Sequence, residues 1–178
     1  PPSVTSLGKW VFESCSSVEE IEIPSSLKSI DSYVFCRCSK LSQISILAPI
    51  TTIPQGLFCG CVSLKQISIP PSVTSINWSA FEGCTSLTQI TIPSSIEAIE
   101  KEAFNSCSSL SQIIFELPSS LKSIDELAFS KCTSLTYVKL PESLNSIGKS
   151  SFNECTSLKK IDIPSSLKSI GESSFNEC

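Results

Sequence analysis

Residues Thr85 to Cys107 read TSLTQITIPSSIEAIEKEAFNSC, and residues Thr156 to Cys178 read TSLKKIDIPSSLKSIGESSFNEC. The two stretches share their Leu, Ile, Pro, Phe and Cys positions, with Leu167 in place of Ile96, and the same frame extends outward along the whole chain. Cys15, Cys38, Cys61, Cys84, Cys107, Cys132, Cys155 and Cys178 follow one another at 23, 23, 23, 23, 25, 23 and 23 residues. Phe12, Phe35, Phe58, Phe81, Phe104, Phe129, Phe152 and Phe175 keep the same beat three residues earlier. Seven units (16–38, 39–61, 62–84, 85–107, 108–132, 133–155 and 156–178) and a leading partial unit, 1–15, account for all 178 residues. Self-similarity at this period is the mark of stacked repeats.

Each unit has the form x-S-L-x-x-I-x-I-P-x-S-L-x-x-I-x-x-x-x-F-x-x-C. The L-x-x-I-x-I segment ends in apolar/polar alternation, the period of a half-buried strand. Pro24, Pro70, Pro93, Pro118, Pro141 and Pro164 follow it; lacking an N–H, each stops the ladder and turns the chain. The remaining Leu, Ile and Phe suit a short extended piece and then a helical or 3₁₀ turn. No unit can bury its apolar face alone, so stacking predicts a solenoid with a parallel sheet along a single core. The 25-residue unit reads L-S-Q-I-I-F-E-L-P, with two extra residues before its Pro. An insertion of two keeps side-chain alternation, which predicts a longer strand with Ile113, Phe115 and Leu117 inward and Ile114 and Glu116 outward.

On L-x-x-I-x-I-P and the trailing F-x-x-C, the chain resembles the leucine-rich repeats, and more narrowly the BspA-like, Treponema-type class. Ala80-Phe81-Glu82-Gly83-Cys84 and Ala103-Phe104-Asn105-Ser106-Cys107 match that class most fully; Leu47 stands where the third unit's Pro should be, and Ser replaces the Ala before Phe152 and Phe175. The resemblance implies a right-handed arc with the parallel sheet on its concave face. It also implies a surface adhesion module that binds matrix proteins or other cells, located at the cell surface or secreted. An intracellular, cytoplasmic scaffold is the alternative, and ten Cys left as thiols would suit it. Both ends of the chain are ordinary repeat sequence rather than polar caps, so a longer array, or end-to-end stacking with further repeats, is expected.

Composition narrows the chemistry. The chain has no His, which removes Ser-His-Asp, Cys-His and His–metal arrangements. A net charge of −4 and a pI near 4.9 argue against nucleic-acid binding. No apolar run is long enough to insert in a membrane. Ser is 39 of the 178 residues, but Ser-Leu-Lys-Ser recurs at 26–29, 120–123 and 166–169, as repeat texture rather than as a single Ser–Lys catalytic pair. A non-enzymatic module with no cofactor and no metal is expected. Asn77-Trp78-Ser79 fits a glycosylation acceptor.

The frame cysteines read as small buried thiols. Cys36 and Cys59 lie off the frame, on equivalent positions of adjacent units, where stacking would bring them within disulfide reach. A four-Cys zinc site from Cys36, Cys38, Cys59 and Cys61 is disfavoured by the single residue between paired ligands.

The outward strand positions form three columns. Charge runs from Glu19, Glu20 and Glu22 at one end to Lys139, Lys159 and Lys160 at the other. Gln43, Gln66, Gln89 and Gln112 form one column, readable as a self-satisfying amide ladder or as a hydrogen-bonding groove for a protein or glycan. The texture breaks around Ile114, the apolar member of its column, and Tyr137, which interrupts the glutamines. Gln89, Thr91, Gln112, Ile114, Glu116, Tyr137 and Lys139 are therefore the candidate ligand-binding residues, with an aromatic, an aliphatic and a cation grouped as in interface hot spots. Trp10, Tyr33 and Trp78 fall just before the Phe of their units, on the opposite, convex side.

Overall fold

The computed structural model describes residues 3–178; Pro1 and Pro2, which open the leading partial unit, lie outside the described residues. Each turn of the solenoid carries up to two strands. The longer ones are β2 (Glu20–Ile23), β4 (Gln43–Ile46), β7 (Gln89–Ile92), β9 (Gln112–Phe115), β11 (Tyr137–Lys139) and β13 (Lys160–Asp162). Two-residue strands follow the Pro turn: β1 (Ser6–Leu7), β3 (Ser29–Ile30), β5 (Thr52–Ile53), β6 (Ser75–Ile76), β8 (Ala98–Ile99), β10 (Ser123–Ile124), β12 (Ser146–Ile147) and β14 (Ser169–Ile170). Every pairing is parallel and joins equivalent residues, as in Gln89↔Gln112 and Ile90↔Ile113. Six of the short strands run β14-β12-β10-β8-β6-β5 as one continuous sheet and β1 pairs with β3, whereas the long ones pair locally as β2–β4, β7–β9 and β11–β13.

Stacking puts like on like. The eight phenyl rings form one offset ladder through the core, from Phe12–Phe35 to Phe152–Phe175, with neighbouring centroids 5.0 to 6.0 Å apart. The frame Leu, Ile and Cys of the interior units fill the space around that ladder and are buried with it. Every frame cysteine from Cys38 onward has a directional role as well. Its Sγ–H donates to the carbonyl of the Phe one unit earlier, as Cys61 to Phe35 and Cys107 to Phe81, both at 3.1 Å. The same carbonyl already accepts the N–H of the frame Cys in its own unit, Cys38 to Phe35 at 3.2 Å and Cys84 to Phe81 at 3.1 Å. One thiol thereby occupies the second lone pair of a buried acceptor.

The side opposite the long strands holds no helix among the described residues, unlike the helical turn that the spacing allows. It is an arc of turns built on backbone that alternates in handedness. The residue two before each Phe (Trp10, Tyr33, Gly56, Ser79, Glu102, Leu127, Ser150, Ser173) and the residue two after it (Ser14, Arg37, Gly60, Gly83, Ser106, Lys131, Glu154, Glu177) all have positive φ, between 52° and 72°. With the Phe between them, these residues aim their N–H groups at carbonyls of the next unit. Ser79 donates to Lys101 at 3.0 Å, Phe81 to Ala103 at 2.8 Å and Gly83 to Asn105 at 2.8 Å. Side chains other than Gly resist this conformation by about 1–2 kcal/mol each, and the inter-unit bonds offset that cost. At Gly56 a side chain is also excluded by contact, because the Tyr33 ring lies where its Cβ would be.

The Pro turn is equally regular. Pro24, Pro70, Pro93, Pro141 and Pro164 each accept a hydrogen bond from the residue three later, the first bond of a β-turn. After Pro24, Pro70, Pro93 and Pro164 the serine two residues on seals the joint, as Ser72 Oγ donating to the Ile50 carbonyl at 2.7 Å and Ser95 Oγ to Val73 at 2.6 Å, whereas the Ser143 hydroxyl after Pro141 is buried without a partner. The bonded serines act as backbone mortar between units.

The 25-residue unit departs from the expected longer strand. β9 ends at Phe115 with four residues, like β7. The ladder makes its last bond from Glu116 N–H to Ile92 at 3.0 Å, and Leu117 leaves the sheet, 71% exposed rather than inward. Once the ladder has ended at the Phe115 corner, no pleat remains to carry the alternation onward. Leu121 N–H is then received by the Ser119 hydroxyl at 3.2 Å. Leu117→Ser should therefore change unfolding free energy by less than about 0.5 kcal/mol, whereas Phe81→Ala should cost about 3–5 kcal/mol. Denaturant melts of the two variants against the parent chain measure both effects.

Candidate binding face

The long strands turn their second and fourth residues toward the core, as Ile90 and Ile92 in β7, and present the others on one face. Its first half is hollowed into a groove of about 720 Å³, lined by Glu20, Glu22, Gln43, Ser45, Gln66, Ser68, Thr88, Gln89 and Thr91 over a floor of Ile21, Ile44 and Ile67. The groove lies where the third long segment, residues 65–69, runs without a regular ladder. Among the described residues the one glutamine with a side-chain hydrogen bond is Gln55, on the other side of the molecule, whose amide donates to Tyr33 Oη at 2.9 Å. The amides of Gln43, Gln66, Gln89 and Gln112 form no ladder and stay open to an incoming partner.

The seven candidate residues divide over this face. Gln89 and Thr91 lie in the groove wall. Gln112 and Ile114 sit beside them on β9, as the direct cross-strand partners of Gln89 and Thr91. Tyr137 and Lys139 lie farther along on β11, paired with Lys160 and Asp162. Glu116 turns aside at the corner, where its carboxylate accepts the Ser94 N–H at 3.3 Å. Ile114 and Tyr137 are 37% and 41% exposed, so both present surface to solvent.

Tyr137 is engaged within the molecule. Its hydroxyl donates to Asp162 Oδ2 at 2.5 Å, and Lys160 Nζ sits 5.4 Å from the ring centre and 3.2 Å from Asp162 Oδ1. This triad went unread in the sequence because its members come from two units; pairing register alone brings them together. The carboxylate accepting its proton raises the Tyr137 pKa above the usual phenol value, and the Tyr137 hydroxyl, then Lys160, holds Asp162 below the usual carboxylate range.

On the opposite side, Trp10 stacks on Tyr33 at 6.2 Å, with Lys9 Nζ 4.2 Å from the centre of the indole. Trp78 Nε1 donates to Glu102 at 3.0 Å. The Asn77-Trp78-Ser79 acceptor is absorbed into this surface: Ser79 is buried with its hydroxyl on Glu102 at 3.3 Å, and Asn77 Oδ1 accepts from Ser75 at 2.8 Å. All ten cysteines are thiols in this structure. The Cys38 and Cys61 sulfurs point inward to Phe12 and Phe35 carbonyls, away from Cys36 and Cys59, so the four do not converge as metal ligands. Burial pushes the frame thiols up, Cys38 to about 11 and Cys155 to about 12, which makes them packing groups rather than nucleophiles. Among the described residues no helix is long and apolar enough to cross a membrane.

Because a phenolate beside Asp162 would be repelled, Tyr137 should ionise at higher pH than free tyrosine. In a Tyr33→Phe background, where Tyr137 is the remaining tyrosine, the alkaline phenolate absorbance should titrate late. Adding Asp162→Asn should bring the transition back down.

Several solved structures share this architecture. A leucine-rich repeat protein of Treponema pallidum superposes with a TM-score of 0.72 at 28% identity, over 98% of this chain and 70% of that one. A leucine-rich cell surface protein of Faecalibacterium prausnitzii gives a TM-score of 0.59 at 28% identity, over all of this chain; the chain spans 63% of that protein's length. The pneumococcal vaccine antigen PcpA shares the fold at 24% identity and a TM-score of 0.60, over 92% of this chain and 36% of its own. Among curated proteins none matches the chain. The model of the BspA type leucine rich repeat region matches residues 1–111 and 109–178 in six copies. Seven stacked units with Phe, Cys and Ile in one register, matched from end to end by that model, make this chain a member of the BspA-type leucine-rich repeat family.

Proposed function

We propose that the chain is a non-catalytic interaction module of a surface adhesin, which binds an extended protein or glycan along its long-strand face. The observation that carries this reading is the groove of about 720 Å³ whose glutamine amides have no partner within the molecule. All four amides are exposed and free of intramolecular bonds, so each can exchange its water for a partner's donor or acceptor, and an extended polypeptide or a sugar chain offers both along its length. The acidic end at Glu20 and Glu22 and the cationic end at Lys139, Lys159 and Lys160 give the face a direction, favouring a partner of opposite polarity. Location at the cell surface is supported by family membership and by the Faecalibacterium relative, a cell surface protein. Ten unbridged cysteines favour the second reading, an intracellular scaffold that uses the same face.

In this proposal Gln89 and Thr91 contact the partner directly. Gln112, Ile114, Tyr137 and Lys139 continue the contact beyond the groove, and Glu116 borders it. Binding to immobilised extracellular-matrix proteins and to intact epithelial cells provides the test. Gln66→Arg with Gln89→Arg, which fills the groove, should weaken binding at least tenfold, about 1.4 kcal/mol, with little change in melting temperature. Ile114→Ser and Tyr137→Ala should each weaken it by a smaller factor. Normal binding by all of these variants, with loss in Trp78→Ala on the convex side, would sink the proposal.

A further inference from the structure

The residue after each frame Phe forms a column on the outer arc that begins Glu13, Cys36, Cys59, Glu82. Cys36 and Cys59 hold equivalent places on adjacent turns. Those turns are clamped on both sides of the pair, by Phe35 N–H to Leu57 at 3.1 Å and Arg37 N–H to Cys59 carbonyl at 2.6 Å. Parallel strands stack about 5 Å apart, inside the Cα separation of roughly 4.4–6.8 Å that a disulfide spans. The two thiols are neighbours: after burial, the next influence on each is the other. They also differ from the frame cysteines in their partners. Cys38 and Cys61 spend their S–H groups on carbonyls inside the core, whereas Cys59 has only a long contact to Glu82 Oε2 at 3.9 Å. Cys59 is half-buried and Cys36, on the adjacent turn, is buried.

We propose that Cys36 and Cys59 are a dithiol that closes into an inter-repeat disulfide, with a low-molecular-weight disulfide as the oxidant. Cys59, the more open of the two, loses its proton to solvent and attacks one sulfur of the oxidant. The oxidant's S–S bond breaks, a mixed disulfide forms on Cys59, and one small thiolate leaves. Cys36, deprotonated in turn, attacks the Cys59 sulfur and expels the second small thiolate. Two protein thiols are oxidised to one disulfide while one small disulfide is reduced to two thiols. Arg37, folded over Gly60, favours the thiolate at each sulfur, against the opposing carboxylates of Glu13 on Cys36 and of Glu82 on both. Burial, and then the neighbouring Cys36, pushes the Cys59 thiol up to about 12, so closure accelerates as the medium becomes alkaline. The bridge ties unit 16–38 to unit 39–61, which together carry Glu20, Glu22 and Gln43 at the acidic end of the groove, and it does not depend on what the groove binds.

The test is incubation of the full chain with oxidised glutathione at mildly alkaline pH, followed by peptide mapping without reduction and a thermal melt. Exposed Cys178 reports that the oxidant has acted, by acquiring glutathione. The expected result is a cross-linked peptide pair containing Cys36 and Cys59, lighter by two hydrogens than its parts, and a melting temperature raised by a few degrees that reductant reverses. Cys36→Ser should leave Cys59 as a stable glutathione adduct. Three results would overturn the proposal: glutathione retained on Cys59 in the parent chain, a bridge to any other cysteine, or both thiols still free once Cys178 is modified. Peptide mapping of the parent chain decides the matter even if the variant does not fold.

Discussion

Every residue of this protein must tolerate its own equivalent stacked about 5 Å away. That constraint explains which residue types recur and which are scattered. Phenyl rings stack offset and gain from it, so Phe keeps its place in all eight turns. Ile and Leu do the same by burial. A charged residue cannot repeat in a column without repelling itself, and the outer arc shows the solution: Lys101, Glu126, Lys149 and Glu172 alternate in sign, with Lys101–Glu126 at 3.3 Å and Lys149–Glu172 at 3.4 Å. Such exposed pairs add little stability. A one-unit slip would set like charges together, so their larger contribution is to register.

The second demand is on the backbone. A solenoid without helices must bond every buried N–H and C=O to a neighbouring turn or within its own turn. The chain meets this with three devices that use small polar residues: left-handed positions that aim N–H groups forward, serine hydroxyls that close the Pro joint, and cysteine thiols that take the second lone pair of the Phe carbonyl. Cysteine suits its place because it is small, apolar enough to be buried at no great cost, and still a donor. The frame cysteines and the serines of the Pro joint, which in a less periodic chain would suggest a disulfide framework and a linker, answer one architectural need.

Period, strand position, core membership and the parallel stacking of like residues were legible in the sequence, because burial repeats and repetition is visible. The left-handed turns were not: Trp10, Tyr33, Leu127 and Glu102 occupy a conformation that local preference assigns to Gly or Asn, and inter-unit bonding overrides that preference. Leu117 was read inward by extending alternation past the point where pairing stops. Six of the seven candidate residues lie on the expected strands and Glu116 lies just past the end of β9, but the depression in the face lies nearer Glu20 and Gln66 than Tyr137. Its position follows from where the long-strand ladder is interrupted, and no side-chain pattern marks that. The Tyr137–Asp162 bond joins residues 25 apart and becomes readable only once the register is known.

The forward-pointing N–H groups of the arc have a consequence for assembly. In each unit, three amides of the turn reach toward the following unit, and the carbonyls they need stand on that unit's near side. Along the arc, each turn therefore has a donor face and an acceptor face, opposite in sense to the short-strand side, where Asn77 and Glu100 donate back to Ile53 and Ile76. Two arrays meeting donor face to donor face would strand both rows of amides, so a two-fold junction through these faces is electrostatically disfavoured. Donor face on acceptor face reproduces the internal joint and can be repeated without closing. The polarity of a single backbone arc thus favours growth along one axis, in one direction, over pairing.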